Sequence, residues 1–185
     1  MPELKLVECP RDAMQGMENW IETESKIAYL NALLEVGFDT LDFGSFVSPK
    51  AIPQMKDTAE VYKHLNWKNS KTELLAIVAN TRGAIDAAGF EGIKYLGFPL
   101  SLSETFQRRN TNKGIEDAFE VVKSIQEICI DKGKEQVVYL SMGFGNPYGE
   151  TWNAETVIEF TKKLAGMGIK IVSLSEDEHA VADDS

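Results

Sequence analysis

Apolar runs of strand length alternate along this chain with stretches in which apolar residues recur at helical spacing. The strand-like runs are residues 4–9 (LKLVEC), 38–43 (FDTLDF), 74–79 (LLAIVA), 93–98 (IKYLGF), 136–141 (QVVYLS) and 169–174 (IKIVSL). They are short and rich in β-branched or aromatic residues, as parallel strands buried on both faces are. Between them, Ile27, Leu30, Leu34 and Val36 share one face of a helix that ends at Gly37. Ala118, Val121, Val122, Ile125 and Cys129 do the same before Gly133, as do Val157, Phe160, Leu164 and Met167 before Gly168. Weaker helical patterns fill 57–65 and 82–88.

Strand and helix thus alternate six times with no linker or low-complexity stretch, which predicts an α/β fold with a parallel sheet covered by helices. Periodicity alone leaves two architectures open, an open doubly wound sheet and a closed eight-stranded barrel. The first strand leads into CPRDAMQG and not GxGxxG, against dinucleotide binding. A complete barrel takes about 250 residues, and six units fall short of its eight.

The 185 residues are 43% hydrophobic and 9% aromatic, enough for one good core. No run approaches the roughly 20 apolar residues of a membrane span, and no leader pattern is present; a cytoplasmic location is the default expectation. The net charge of −10 argues against a nucleic-acid partner. Two cysteines, Cys9 and Cys129, cannot build a disulfide framework and point to a reducing compartment. They read as small buried hydrophobes in a strand and a helix.

Two blocks carry candidate chemistry. Arg11 and Asp12, in VECPRDAMQ (7–15), sit just past the first strand, at the face where parallel-sheet enzymes place their sites. A guanidinium suits a carboxylate or a developing enolate oxygen, and a carboxylate suits a divalent metal. An isolated Arg-Asp dipeptide is more often a surface ion pair. The second strand leads into DFGSFVSPKAIPQM (42–55), an apolar loop with two prolines, long enough either to shape a pocket or to cap the core.

Together these blocks resemble the 3-hydroxy-3-methylglutaryl-CoA lyase family, whose chains open with PRDGLQ and follow the second strand with TSFVSPKxxPQM. The likeness continues through ANTRG (79–83), the SE-x-F-x(3)-N pattern of 103–110 and YLSMGFGNPY (139–148), up to about Ser175. The resemblance implies a TIM-type (β/α)8 barrel, here the N-terminal three quarters of one, truncated after the sixth strand. It further implies retro-aldol cleavage of the acyl-CoA substrate to acetyl-CoA and acetoacetate, as in leucine degradation, with a divalent cation, Mg²⁺ or Mn²⁺. Six strands leave two sheet edges uncovered, from which homo-oligomeric assembly is expected. By motif position Arg11 is catalytic and Asp12 binds the metal, while Gln15, Asp42, Ser45 and Tyr139 line the substrate pocket. Asp42 stands where the family often has Glu.

The family's later H-x-H metal ligands, its Asn and its GGCP cysteine loop have no counterpart here. His64 falls in a predicted helix as a cap or packing residue, and His179 lies in the tail. Residues 1–175 read as six strand–helix units lacking the last helix, and 176–185 (EDEHAVADDS) as an acidic, disordered tail in which Glu176 replaces the family's Asp. The chain alone is therefore expected to be inactive. The alternatives are a non-catalytic or oligomerising barrel fragment, and a related acyl-CoA carbon–carbon lyase or synthase.

Overall fold

A computed structural model describes residues 4–175; the acidic tail, with Glu176 and His179, lies outside them. Six strands, all those whose pairing is resolved being parallel, follow one another in chain order, β1 to β6. The chain forms two compact units, one up to Leu96 and one from Gly97 onward.

In the first unit, β1 (Val7–Glu8) and α1 (Pro10–Gln15) precede α2 (Thr23–Val36), β2 (Thr40–Ser45), α3 (Thr58–Lys63), β3 (Glu73–Ile77) and α4 (Thr81–Ala88), and β4 (Ile93–Ser101) begins. All six residues of β2 are buried, and Leu41, Phe43 and Leu74–Val78 form the core with Leu30, Leu34, Ala84 and Ala87. The helix expected before Gly37 ends there, with Gly37 in the left-handed region at φ 83°. Its buried stripe, however, is Lys26, Leu30 and Leu34, and Val36 is exposed. Spacing by four selects position 26, and a charged residue fills it because partners await the ammonium. The first strand is only two residues long, so Cys9 is not in it. Cys9 is exposed and stands at the N-cap of α1, contrary to the buried-hydrophobe expectation. α1 itself went unpredicted, although Pro10 at its first turn is a helix-start signal.

In the second unit, α5 (Glu104–Thr111), α6 (Ile115–Lys132), β5 (Glu135–Ser141), α7 (Ala154–Gly166) and β6 (Ile171–Ser175) follow β4. α6 buries Ala118, Phe119, Val121, Val122, Ile125 and Cys129, the face its spacing predicts, and Gly133 closes it at φ 65°. The predicted face of α7 is only half-buried apart from Leu164. The SE pattern proves to be capping: Ser103 Oγ accepts from Phe106 N–H at the start of α5, and Glu104 Oε2 accepts from Ile115 N–H, 2.8 Å, at the start of α6.

On β5, Gln136 is 3% exposed and neither atom of its amide has a hydrogen-bond partner among the described residues. A buried, unpaired amide costs about 1–3 kcal/mol. Gln136→Leu is therefore expected to raise stability by about that amount, read as a higher denaturation midpoint at an unchanged slope.

Candidate active site

A buried ion pair joins β2 to the helix that follows β1. Asp42, midway along β2, has no exposed surface, and Arg11, on the first turn of α1, is 9% exposed. Arg11 Nη2 donates to Asp42 Oδ2 at 2.6 Å, and Nε donates to both carboxylate oxygens at 3.1 and 3.2 Å. This is the fork geometry that makes arginine–carboxylate pairs directional. The shorter Asp side chain, where the family often has Glu, thus reaches the guanidinium directly.

The remaining terminal nitrogen, Nη1, donates to Asp12 Oδ1 at 2.8 Å and Gln15 Oε1 at 3.0 Å, and Gln15 Nε2 donates to the same Asp12 oxygen. One helical turn accounts for this cluster, because i, i+3 and i+4 positions meet on one face. Asp12 is two-thirds exposed, and the hydrogen bonds it accepts from Arg11 and Gln15 both fall on Oδ1.

Burial raises the Asp42 carboxyl above the ordinary carboxylate value, while the charge and hydrogen bonds of Arg11 hold it down. Desolvation, then the negative charge of Asp42, push the Cys9 thiol up to about 11, so it stays a thiol at neutral pH.

Ser45, 3% exposed, turns its hydroxyl toward backbone: it accepts from Val47 N–H at 3.3 Å. The register of β2 shifts between Asp42 and Gly44. Gly44 is required there, since a Cβ would stand 2.5 Å from Thr58 Cγ2. The loop after β2 is a packed cap in its second half, where Gln54 and Met55 are buried in a 3-10 turn, Pro53–Met55. Its first half meets the ANTRG block: Asn80 caps α4, and a Cβ on Gly83 would lie 2.5 Å from Phe46 O.

Tyr139 belongs to the second unit, half-buried on β5 opposite Ser173. The turn beyond β5 carries Met142 in the left-handed region, φ 61°, and Trp152 Nε1 donates to Gly143 O. The Glu150 carboxylate docks on the start of α5. Against the upward pull of burial, hydrogen bonds from Ser103 and Thr105 hold its carboxyl below the ordinary value. His64 closes α3 as its C-cap, exposed, with Nδ1 3.0 Å from Glu60 O. Sequence reasoning missed Gln54, whose side chain bonds the segment after α1, and Lys26, which bonds Gln54 O; the four-residue spacing of Lys26 with Leu30 and Leu34 was the available signal for the latter.

No protein-family model matches the chain. It is 34% identical over 167 residues to the hydroxymethylglutaryl-CoA lyase YngG of Bacillus subtilis, covering 90% of this chain and 55% of that protein. The crystal structure of the Bacillus subtilis HMG-CoA lyase superposes with a TM-score of 0.88 at 32% identity, over 98% of this chain and 60% of that one. An HMG-CoA lyase from Acinetobacter baumannii, in complex with coenzyme A and 3-methylmalate, gives 0.85 at 28% identity, over 92% and 56%. The chain therefore has the sequence pattern and the barrel-type α/β fold of these lyases over nearly all its length. It spans about half the length of the curated relatives it matches, not the three quarters that strand counting suggested. Six of eight strands measures only the barrel and not the length of the whole chain.

Proposed function

We propose that this chain supplies the arginine–carboxylate part of a hydroxymethylglutaryl-CoA lyase site, for cleavage of 3-hydroxy-3-methylglutaryl-CoA to acetyl-CoA and acetoacetate. The observation that carries the reading is the Arg11 guanidinium, just past the C-terminal end of β1, clamped by Asp42 of β2 and turned toward Asp12 and Gln15. When the C2–C3 bond breaks, the 3-hydroxyl gives its proton to a base and becomes the ketone of acetoacetate. The bond's electron pair moves into the thioester as an enolate, which then takes a proton at C2 to give acetyl-CoA. A fixed cation opposite the enolate oxygen stabilises the enolate. Asp42 offsets the buried charge of Arg11 and sets the plane of its fork. Gln15 holds the Asp12 carboxylate in one rotamer.

Asp12 suits a hard divalent cation, Mg²⁺ or Mn²⁺: it is an exposed carboxylate whose hydrogen bonds from Arg11 and Gln15 both fall on Oδ1. No group of three His, Cys, Asp or Glu among the described residues could hold such an ion, so further ligands must come from substrate or from polypeptide outside them. When bound, the cation supplies polarisation of the substrate's oxygens.

The 185-residue chain alone is expected to give no cleavage. A chimaera lengthened with the remaining part of the Bacillus subtilis relative is expected to release acetoacetate when Mg²⁺ or Mn²⁺ is added. A folded chimaera that binds metal and stays inactive would remove the lyase reading. In that chimaera Asp12→Asn should raise the metal concentration for half-maximal activity by on the order of tenfold or more, because a hard cation loses an anionic ligand; a metal titration of the initial rate checks it.

The free thiols of Cys9 and Cys129 fit a cytoplasmic setting, and the reaction fits leucine degradation. Among the described residues no helix is long and apolar enough to cross a membrane. Homo-oligomerisation has its own support: β1 and β6 end the strand order, and Leu6, Val7 and Leu174 are exposed there. Light scattering behind size-exclusion chromatography reads it directly, and a strictly monomeric chain would count against it.

A further inference from the structure

We propose that Gln54 is a positioning residue, a latch whose side-chain amide holds the segment after α1 and thereby sets the end of the helix that carries Arg11, Asp12 and Gln15. Residues 17–21 have no regular structure and are largely exposed. Such a segment has few backbone partners of its own, and Gln54 supplies them. Its Oε1 accepts from Ile21 N–H at 3.0 Å, and its Nε2 donates to Met17 O at 3.1 Å and Asn19 O at 2.8 Å. Both amide hydrogens are thus used, and the side chain is 5% exposed.

The latch is itself anchored. Lys26, 2% exposed on α2, donates to Gln54 O and to Asp57 Oδ1, and Thr23 Oγ1 donates to Asp57 Oδ2. From the other side, Thr58 Oγ1 donates to Met55 O and accepts from Ser45 N–H on β2. The turn that bears Gln54 is therefore tied to both α2 and β2, a rigid base for an otherwise loose segment.

α1 has six residues, too few to be stable by itself. Its start is fixed by buried Pro10 and by Arg11 on Asp42. Its end continues into Met17, whose N–H donates to Met14 O and whose carbonyl Gln54 holds. The rotamers of Asp12 and Gln15 depend on the direction of that end. The consequence for chemistry rests on the lyase reading above; the latch does not.

Hydrogen exchange of the full 185-residue chain tests it, comparing wild type, Gln54→Met and Gln54→Glu. Gln54→Met keeps the length and apolar stem but removes three hydrogen bonds. Exchange in 16–21 is expected to quicken on the order of tenfold or more, with β2 and β3 amides unchanged. In Gln54→Glu the carboxyl, when neutral, can still accept from Ile21 and donate one hydrogen bond to Met17 O or Asn19 O. Once ionised it faces both carbonyls. The charged groups around it are Lys26 on α2 and Lys56 and Asp57 beyond the turn. Protection of 16–21 relative to wild type should therefore fall stepwise as pH rises through that carboxyl's titration, and neither wild type nor Gln54→Met should show the step.

Unchanged protection of 16–21 in Gln54→Met, or loosening spread evenly over the first unit, would overturn the proposal. If Gln54→Met does not fold, a missing pH step in Gln54→Glu does so. None of these readouts uses turnover, so a failed lyase assay and a failed latch are distinguishable.

Discussion

Arg11→Ala is expected to destabilise the chain by about 3–5 kcal/mol at neutral pH, because it leaves the fully buried Asp42 without its counter-charge. Removing the arginine deletes the charge and the hydrogen bonds that lower the Asp42 carboxyl and leaves burial and Asp12, both of which raise it. A carboxyl whose folded pKa lies above its unfolded value contributes stability that is present below the unfolded value. That contribution is lost as pH rises through the folded pKa. The deficit against wild type should therefore be smallest in mild acid and grow toward neutral pH. Denaturant titrations across that window would show it, and a pH-independent deficit would mean that Asp42 has found another partner. Adding Asp42→Asn to Arg11→Ala should recover part of the loss, since a neutral amide is less costly to bury than a charge. In the lengthened lyase the same Arg11→Ala should lower turnover by on the order of 10²-fold or more, as for a lost oxyanion donor. A rate constant unchanged at saturating substrate would take Arg11 out of the chemistry while leaving the stability effect standing.

Gly83→Ala is the second large effect, and its sign opposes simple helix propensity. Inside α4, alanine in place of glycine should gain roughly 1 kcal/mol. A Cβ there would lie 2.5 Å from Phe46 O, a backbone atom that cannot rotate away. Overpacking of this kind costs about 1–3 kcal/mol, so a net loss is expected, with the SFVSPK loop displaced. Gly166→Ala is the matched control, since a Cβ there meets nothing within 4 Å; it should be neutral or stabilising. Equal gains from both substitutions, measured by thermal melts, would show that the loop yields freely.

The periodic elements were legible because their patterns are strong. α6 repeats an apolar face over 18 residues, and the glycines after α2 and α6 adopt the left-handed conformation that stops a helix. α1 and α5 were not legible, because α1 offers only the adjacent Ala13 and Met14 after its proline and α5 only Phe106 as apolar positions, which establish no period. Their signals were capping residues, Pro10 and Ser103. At the site, Arg11, Asp12 and Gln15 came from a motif, and the structure brings them together. What the motif could not convey is that Asp42 faces Arg11, since a pairing across 31 positions depends on how β2 registers against the start of α1. Lys26 was hidden for the opposite reason: hydropathy assigns lysine to the surface, and only tertiary partners make its burial tolerable.

Trp20 lies in the segment that Gln54 holds, with the Lys26 ammonium 3.8 Å and the Lys56 ammonium 4.2 Å from its ring centroid. An indole's excited state is sensitive to nearby charge, so the colour of its emission depends on whether those two cations are in place. The chain has three tryptophans. Replacing Trp67 and Trp152 with phenylalanine would leave a single native fluorophore seated on the loop that follows α1. Its spectrum and its quenching by added iodide would then follow docking and release of that loop in real time, without an attached dye.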